Sequence, residues 1–248
     1  MWDVAILLDV LTDLFMHLIS RWLTHISVTT LLSASHIASA SPLTILPTLK
    51  LPALHAGDVV LIALHCYVCR VISETTDSPY NHSGLILDTD LGLSSRVAQS
   101  LQSTQDLSLS EFLHQAGKTS PVKILRPREL ANSFKADREA YESSTVLLNR
   151  VFALEMRGRA FDENYLWNNV DTDGNELLYC SEMIQKTLNH VLARPLTTTA
   201  LDYSRHWDFW LNYFDGKVPQ GEPGNSPASL ANADQLMTIF EGILDTAH

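Results

Sequence analysis

Residues 82 to 100 read HSGLILDTDLGLSSRVAQS, two strand-like runs at 82 to 87 and 94 to 99 joined by the reversal DTDLG. Short apolar runs flanking an Asp- and Gly-rich turn predict a β-hairpin, so antiparallel strands must stand at the centre of this fold. With the turn centred between Asp90 and Leu91, facing residues sum to 181, which sets His82 opposite Gln99. Successive side chains on a strand point to opposite faces, so these two would share a face. A slip of one residue would bring up Ala98 or Ser100 instead.

The segments on either side fit an α+β chain. AGDVVLIAL places a turn at Gly57-Asp58 before a β-branched run that reads as a buried strand. CRVISETTDSPYN suggests a short helix ending in a turn. Ser108 with Glu111 forms a capping box for a helix that stops at Gly117, and PVKILRP reads as a third strand. A long amphipathic helix is predicted from Lys135 to Arg157, with Tyr141, Val146, Leu147, Val151 and Leu154 near one face. A further helix follows Cys180, its apolar face made by Met183, Ile184, Leu188, Val191 and Leu192. After Pro219 the chain reads as loop until a short closing helix from Asp234. The expected architecture is a central antiparallel sheet packed against helices. Residues 55 to 248 form its domain, and the proline-bearing stretch 41 to 54 is a linker.

Composition narrows the partners. The net charge is −11 and no Lys/Arg cluster stands ready to neutralise phosphates, which argues against a nucleic-acid partner. Residues 1 to 40 are hydrophobic, but Asp9, Asp13 and Arg21 interrupt them too often for a clean spanning helix. They read either as an export signal beginning at Met16 and ending in ASA (Ala38 to Ala40), or as an amphipathic helix over residues 3 to 20. The first reading places the protein in the periplasm. The second associates it with a membrane through this segment, or otherwise leaves it cytoplasmic.

The chemistry-bearing residues are few. A cysteine in the first turn of a helix, as Cys180 is expected to be, faces unpaired amides and the positive end of the helix dipole. Both favour the nucleophilic thiolate, and the same amides can hold an oxyanion. The alternative is a buried, inert thiol. His82 opens a strand and could accept the thiol proton, with Gln99 orienting its ring; otherwise it is a strand-edge histidine in solvent. Cys66 and Cys69 make a CxxC, which suits a redox pair or half a metal site, or is two small residues on a helix or loop. Asn169, Asp171, Asp173 and Gly174 match the start of a calcium loop. Cys180 falls where the bidentate Glu belongs, so the segment reads as an acidic turn. No metal and no cofactor is expected.

Four segments in order, AGDVVLI, SPYNHSGLI, RGRAFDENYLW and LYCSEMIQKTL, resemble the YiiX-like, circularly permuted branch of the NlpC-type papain-like cysteine hydrolases. The matching residues are Gly57-Asp58, Tyr80 to Leu85, Gly158 to Asp162 and Tyr179 to Met183, and the likeness covers roughly residues 55 to 215. It implies a permuted papain-like fold, with Cys180 as nucleophile and His82 as general base and then acid. It also implies substrate-facing places for the motif residues Tyr80, Tyr179, Ser181 and Glu182. Where the family usually carries Glu on the strand after the histidine, this chain has VAQS, so Gln99 takes that place. Chain order is no obstacle, because such triads are defined by geometry and roles.

Three functions are compatible with these residues. The first is a cysteine hydrolase acting on a cell-wall peptide amide or an acyl-lipid bond through an acyl-enzyme. The second is an acyltransferase of the lecithin:retinol acyltransferase type, which hands the acyl group to an alcohol or amine. The third is a degenerate member that only binds, for which the neutral Gln99 is the main support.

Overall fold

The apolar run after Gly57 forms β1 (Val59–Ile62), whose four side chains are all fully buried. Burying such a side chain stabilises the fold by roughly 1.5 to 3 kcal/mol, and a strand that is apolar without alternation must be covered on both faces. It is. The computed structural model describes residues 51 to 244 other than Asp90 and Lys118, so the expected leader at 1 to 40 and most of the 41 to 54 linker lie outside the described residues.

After β1 come α1 (Tyr67–Thr75), β2 (His82–Ile86), β3 (Arg96–Ser100), β4 (Thr104–Ser108), α2 (Leu109–His114) and β5 (Ser120–Pro127). Then follow α3 (Arg128–Ala136), α4 (Arg138–Val151) with a π-helical turn at Phe152–Met156, and α5 (Cys180–Asn189). The short strands β6 (Thr199–Ala200) and β7 (Pro223–Gly224) pair with each other and flank α6 (Trp207–Tyr213); α7 (Pro227–Ala231) and β8 (Leu236–Leu244) complete the described chain. The main sheet has the order β4-β3-β2-β1-β5-β8, and every neighbouring pair is antiparallel.

One face of the sheet, with Val59, Leu61, Leu85 and Ala98, packs against Tyr141, Leu148 and Val151 of α4 and Met183, Ile184 and Leu188 of α5. The other, with Val60, Ile62, Ile86 and Val97, packs against Leu109, Phe112 and Leu113 of α2. A third cluster joins α1 to α6 through Val71, Tyr203, Trp210 and Phe214. Gly57 and Asp58 lock the start of β1. The glycine has φ +93°, and a Cβ there would lie 2.5 Å from a Leu130 methyl. The aspartate, fully buried, is gripped at both oxygens by Arg126 of β5 at 2.7 Å and accepts the His55 amide at 2.8 Å.

Three expectations are corrected. The hairpin pairs Leu85 with Ala98 and Ile86 with Val97, a sum of 183 rather than 181. The reversal is longer than expected, taking in a 3₁₀ turn at Gly92–Ser94 and closing where the Arg96 amide and guanidinium bind Asp88. The slip is two residues, so the face of each side chain is kept. The long helix at 135 to 157 is broken at Asp137, whose extended backbone ends α3 and whose carboxylate caps α4 by accepting the Ala140 amide at 2.9 Å. Its core face runs through Tyr141, Leu148 and Val151, while Val146, Leu147 and Leu154 are exposed. The closing helix from Asp234 is instead β8, recruited by eight residue pairs with β5. The Ser108–Glu111 capping box forms as expected, with both of its hydrogen bonds present.

Candidate active site

The end of β3 holds two pieces of the site at once. Ser100 donates its hydroxyl to the Leu178 carbonyl at 2.6 Å, tying the chain ahead of α5 to the sheet beside Gln99. Tyr179 is the extended N-cap residue and Cys180 the first residue of the helix, 8% exposed. The first amides of a helix have no carbonyl one turn back to bond, so they present a cluster of donors and positive potential around the sulfur.

His82, at the start of β2, donates from Nε2 to Gln99 Oε1 at 2.7 Å, with both residues buried. An amide oxygen can only accept, so Nε2 carries the proton and Nδ1 is the nitrogen left for Cys180, which lies within electrostatic reach of the ring. In the observed register Gln99 is the diagonal rather than the direct neighbour of His82 on their shared face. Phe112 of α2 stacks on the imidazole at 5.5 Å. Gly84 permits this approach, since a Cβ there would lie 2.8 Å from the Phe112 ring and 2.4 Å from Val97.

The electrostatics of the pair run against burial. Burial pushes the Cys180 thiol up, but the hydrogen bond and charge of His82, joined by the hydroxyl and amide of Ser83, carry it below the ordinary thiol value. Burial likewise favours a neutral His82, yet the hydrogen bond and charge of Cys180, with Gln99 behind the ring, raise it above the usual histidine value. Each group moves towards its charged form, and the arrangement favours a thiolate–imidazolium pair. The Ser83 hydroxyl is buried without a hydrogen-bond partner and lies near enough to the sulfur to help lower its pKa.

Cys180 lines a cavity of about 340 Å³ with His82 buried behind it. The apolar wall comes from Ile72 of α1, Leu201, and the rings of Tyr165, Tyr203 and Trp210. Burial raises the pKa of Tyr165, Tyr179 and Tyr203, so these rings remain neutral. Among the described lining residues there is no Lys or Arg, and Asp202 is the one carboxylate. Asp162 builds the loop that carries Tyr165: its oxygens accept the amides of Asn164 and Leu166 and the side chain of Asn169 at 2.7 to 3.0 Å.

Of the expected substrate-facing residues, Tyr179 and Ser181 line this cavity. Tyr80 and Glu182 do not. The Tyr80 hydroxyl donates to Glu241 of β8 at 3.0 Å, and its ring lies under Lys123. Glu182 follows Cys180 by two residues, about 200° around the helix. Its carboxylate turns to Lys186 at 2.7 Å and the Asn168 amide at 2.9 Å. Cys66 and Cys69 form a disulfide at the head of α1, so the CxxC is neither half a metal site nor a pair of free thiols, and Cys180 is the free cysteine. The calcium-like segment is a turn in which Asp171 accepts the Asp173 and Asn175 amides. The aromatic wall had no counterpart in the sequence reading. Its signal was YSRHWDFWLNYF at 203 to 214, where six of twelve residues are aromatic.

No protein-family model matches the sequence, and no curated protein matches it. Among solved structures, the chain is similar to the metalloprotein YiiX from Escherichia coli O157:H7, with a TM-score of 0.60 at 16% identity over 76% of this chain and 97% of that one. Among the described residues no group of three or more His, Cys, Asp or Glu side chains is placed to hold a metal ion. At this identity the likeness speaks to the fold alone: the chain has a YiiX-like α+β fold, an antiparallel sheet packed against helices.

Proposed function

We propose that the chain is a cysteine-dependent hydrolase of permuted papain-like, NlpC-type arrangement that moves an uncharged, apolar acyl group from an amide or ester onto Cys180 and then onto water. The observation that carries this reading is a cysteine at the first turn of a helix within electrostatic reach of a buried His82, whose ring donates to Gln99. The Cys180 thiolate attacks the carbonyl carbon, and the amides of the first turn of α5 receive the oxyanion. The His82 imidazolium passes its Nδ1 proton to the leaving nitrogen or oxygen as the tetrahedral intermediate collapses to a thioester. Water then gives a proton to His82 as it attacks the thioester, and Cys180 departs as thiolate with the acid released.

The acyl preference rests on the cavity wall. Several of its polar groups are engaged with protein partners, while Ser181 Oγ and Asn225 Oδ1 are buried without one. Thr75 Oγ1 accepts the Trp210 ring N–H at 2.9 Å, Thr76 donates to the Ile72 carbonyl, and the Asn225 amide donates to Ser181 O and Gln185 Oε1 at 2.8 Å. Most of the remaining wall is apolar and aromatic, and a volume near 340 Å³ is within the range of small-ligand sites. A peptide bearing free carboxylates would find no cation there. This favours the acyl-lipid branch over an anionic wall peptide.

The test is alkylation with iodoacetamide near pH 6 followed by intact mass, on the native chain, Cys180→Ser and His82→Ala. Fast labelling that needs both Cys180 and His82 is expected, and neutral acyl p-nitrophenyl esters should leave an acyl adduct on Cys180 where a carboxylate-tipped ester does not. Equal labelling with and without His82, at the slow pace of an ordinary buried thiol, would overturn the reading.

A further inference from the structure

A second sulfur centre stands apart from this machinery. The Cys66–Cys69 disulfide bridges the first turn of α1, with Cα atoms 5.0 Å apart. The two sulfurs are unequally placed. Cys66 is the exposed N-cap residue, whereas Cys69 is 9% exposed. Tyr67, between them, is 62% exposed, so the bond is approachable from solvent on the Cys66 side.

The surroundings favour the reduced form. Cys66 Sγ accepts the Cys69 amide at 3.0 Å, a donor that would remain to stabilise a thiolate after the bond is broken. Cys69 lies in the first turn of a nine-residue helix, where unpaired amides and the dipole stabilise a leaving thiolate. As a brace the bond does little. A loop with two intervening residues restricts the unfolded chain only slightly, and α1 is already anchored: Asn81 donates to the Cys69 carbonyl and to Ser73, and Trp210 of α6 and Phe214 just after it cluster with Val71.

We propose that Cys66–Cys69 is a thiol–disulfide exchange site, entered at Cys66 by a dithiol reductant and independent of the acyl chemistry at Cys180. One thiolate of the dithiol attacks Cys66 Sγ, forming a mixed disulfide and expelling Cys69 as a thiolate, which takes a proton from water. The second thiol of the reductant, once deprotonated, attacks the reductant's own sulfur in that mixed disulfide, releasing the Cys66 thiolate. Two electrons pass to the protein, and the reductant leaves as a cyclic disulfide.

The experiment uses the full chain with and without Cys180→Ser. Folded protein is equilibrated in buffers of reduced and oxidised dithiothreitol, quenched with acid, alkylated and weighed intact. In parallel, Cys69→Ser and Cys66→Ser, each with one thiol left at this site, are exposed to glutathione disulfide. The expected result is reduction of Cys66–Cys69 with the circular dichroism of the fold intact, and mixed-disulfide formation at least tenfold faster in Cys69→Ser than in Cys66→Ser. A bond that yields only when urea unfolds the chain, or equal rates in the two variants, would overturn the proposal. Neither outcome touches the hydrolase reading, which is tested at Cys180 and His82.

Discussion

Gln99→Ala removes the acceptor that holds the His82 ring. The bond it deletes is 2.7 Å long between two residues that are 2% and 1% exposed. The neighbours on that face, Val97 and Phe112, offer no oxygen in its place. A hydrogen bond to a charged group contributes about 1.5 to 3 kcal/mol, and an unmet buried donor costs a similar amount. At about 1.36 kcal/mol per tenfold, the thiolate–imidazolium population should fall roughly 10- to 100-fold. The sign follows from the ring: Gln99 helps raise His82, the imidazolium holds Cys180 below the ordinary thiol value, and loss of Gln99 moves Cys180 back up. The assay is the rate of iodoacetamide labelling at Cys180 from about pH 5 to pH 9, read by intact mass. The native chain should stay reactive on the acid side. In Gln99→Ala the acid limb should move up by about one to two pH units. Gln99→Glu supplies an acceptor with a full charge, so it should restore acid-side labelling and push His82 higher still. A native pH profile in Gln99→Ala would refute the assignment of Gln99 as the positioning residue, and with it the descent from sheet register to site.

Two further outcomes concern stability. Asp58→Asn leaves Arg126, only 15% exposed at its side chain, without its paired carboxylate. It should cost about 3 kcal/mol in urea unfolding, and a loss under about 1 kcal/mol would show the pair to be dispensable. Glu182 is raised by burial, despite Lys186, to about 7 from an ordinary 4.5. The folded state therefore holds that proton more tightly, so its contribution is complete below about pH 4.5 and is lost, by roughly 3 kcal/mol, as pH rises through about 7. Glu182→Gln should remove this decline, so its advantage over the native chain in urea unfolding grows from about pH 5 to pH 8; parallel curves would refute it.

Local patterns were legible where one short segment carried the whole instruction. The Ser108–Glu111 capping box, the run VVLI, and the apolar positions Met183, Ile184 and Leu188 each appear in the structure where their spacing predicts. The break at Asp137 is not legible locally, because a capping carboxylate inside a helical pattern looks like any surface aspartate until the backbone turns at it. Nor is the strand from Leu236, because LMTIFEGIL becomes a strand through its partner, β5, more than a hundred residues earlier.

The same division holds at the site. Sequence alone determined which side chains could do the chemistry, and the parity of the hairpin determined that His82 and Gln99 share a face whatever the even slip in register. Only the tertiary structure decided that Cys180 arrives at that imidazole, through Ser100 holding Leu178 against β3. It alone decided that Tyr80 and Glu182 turn away, and that Tyr165, Tyr203 and Trp210 close a cavity over the sulfur. The physical reason is range: turn chemistry and alternation act over a few residues. The meeting of a strand end with a helix start ninety-eight positions on depends on how two sheet faces are covered, and that is settled only when the core packs.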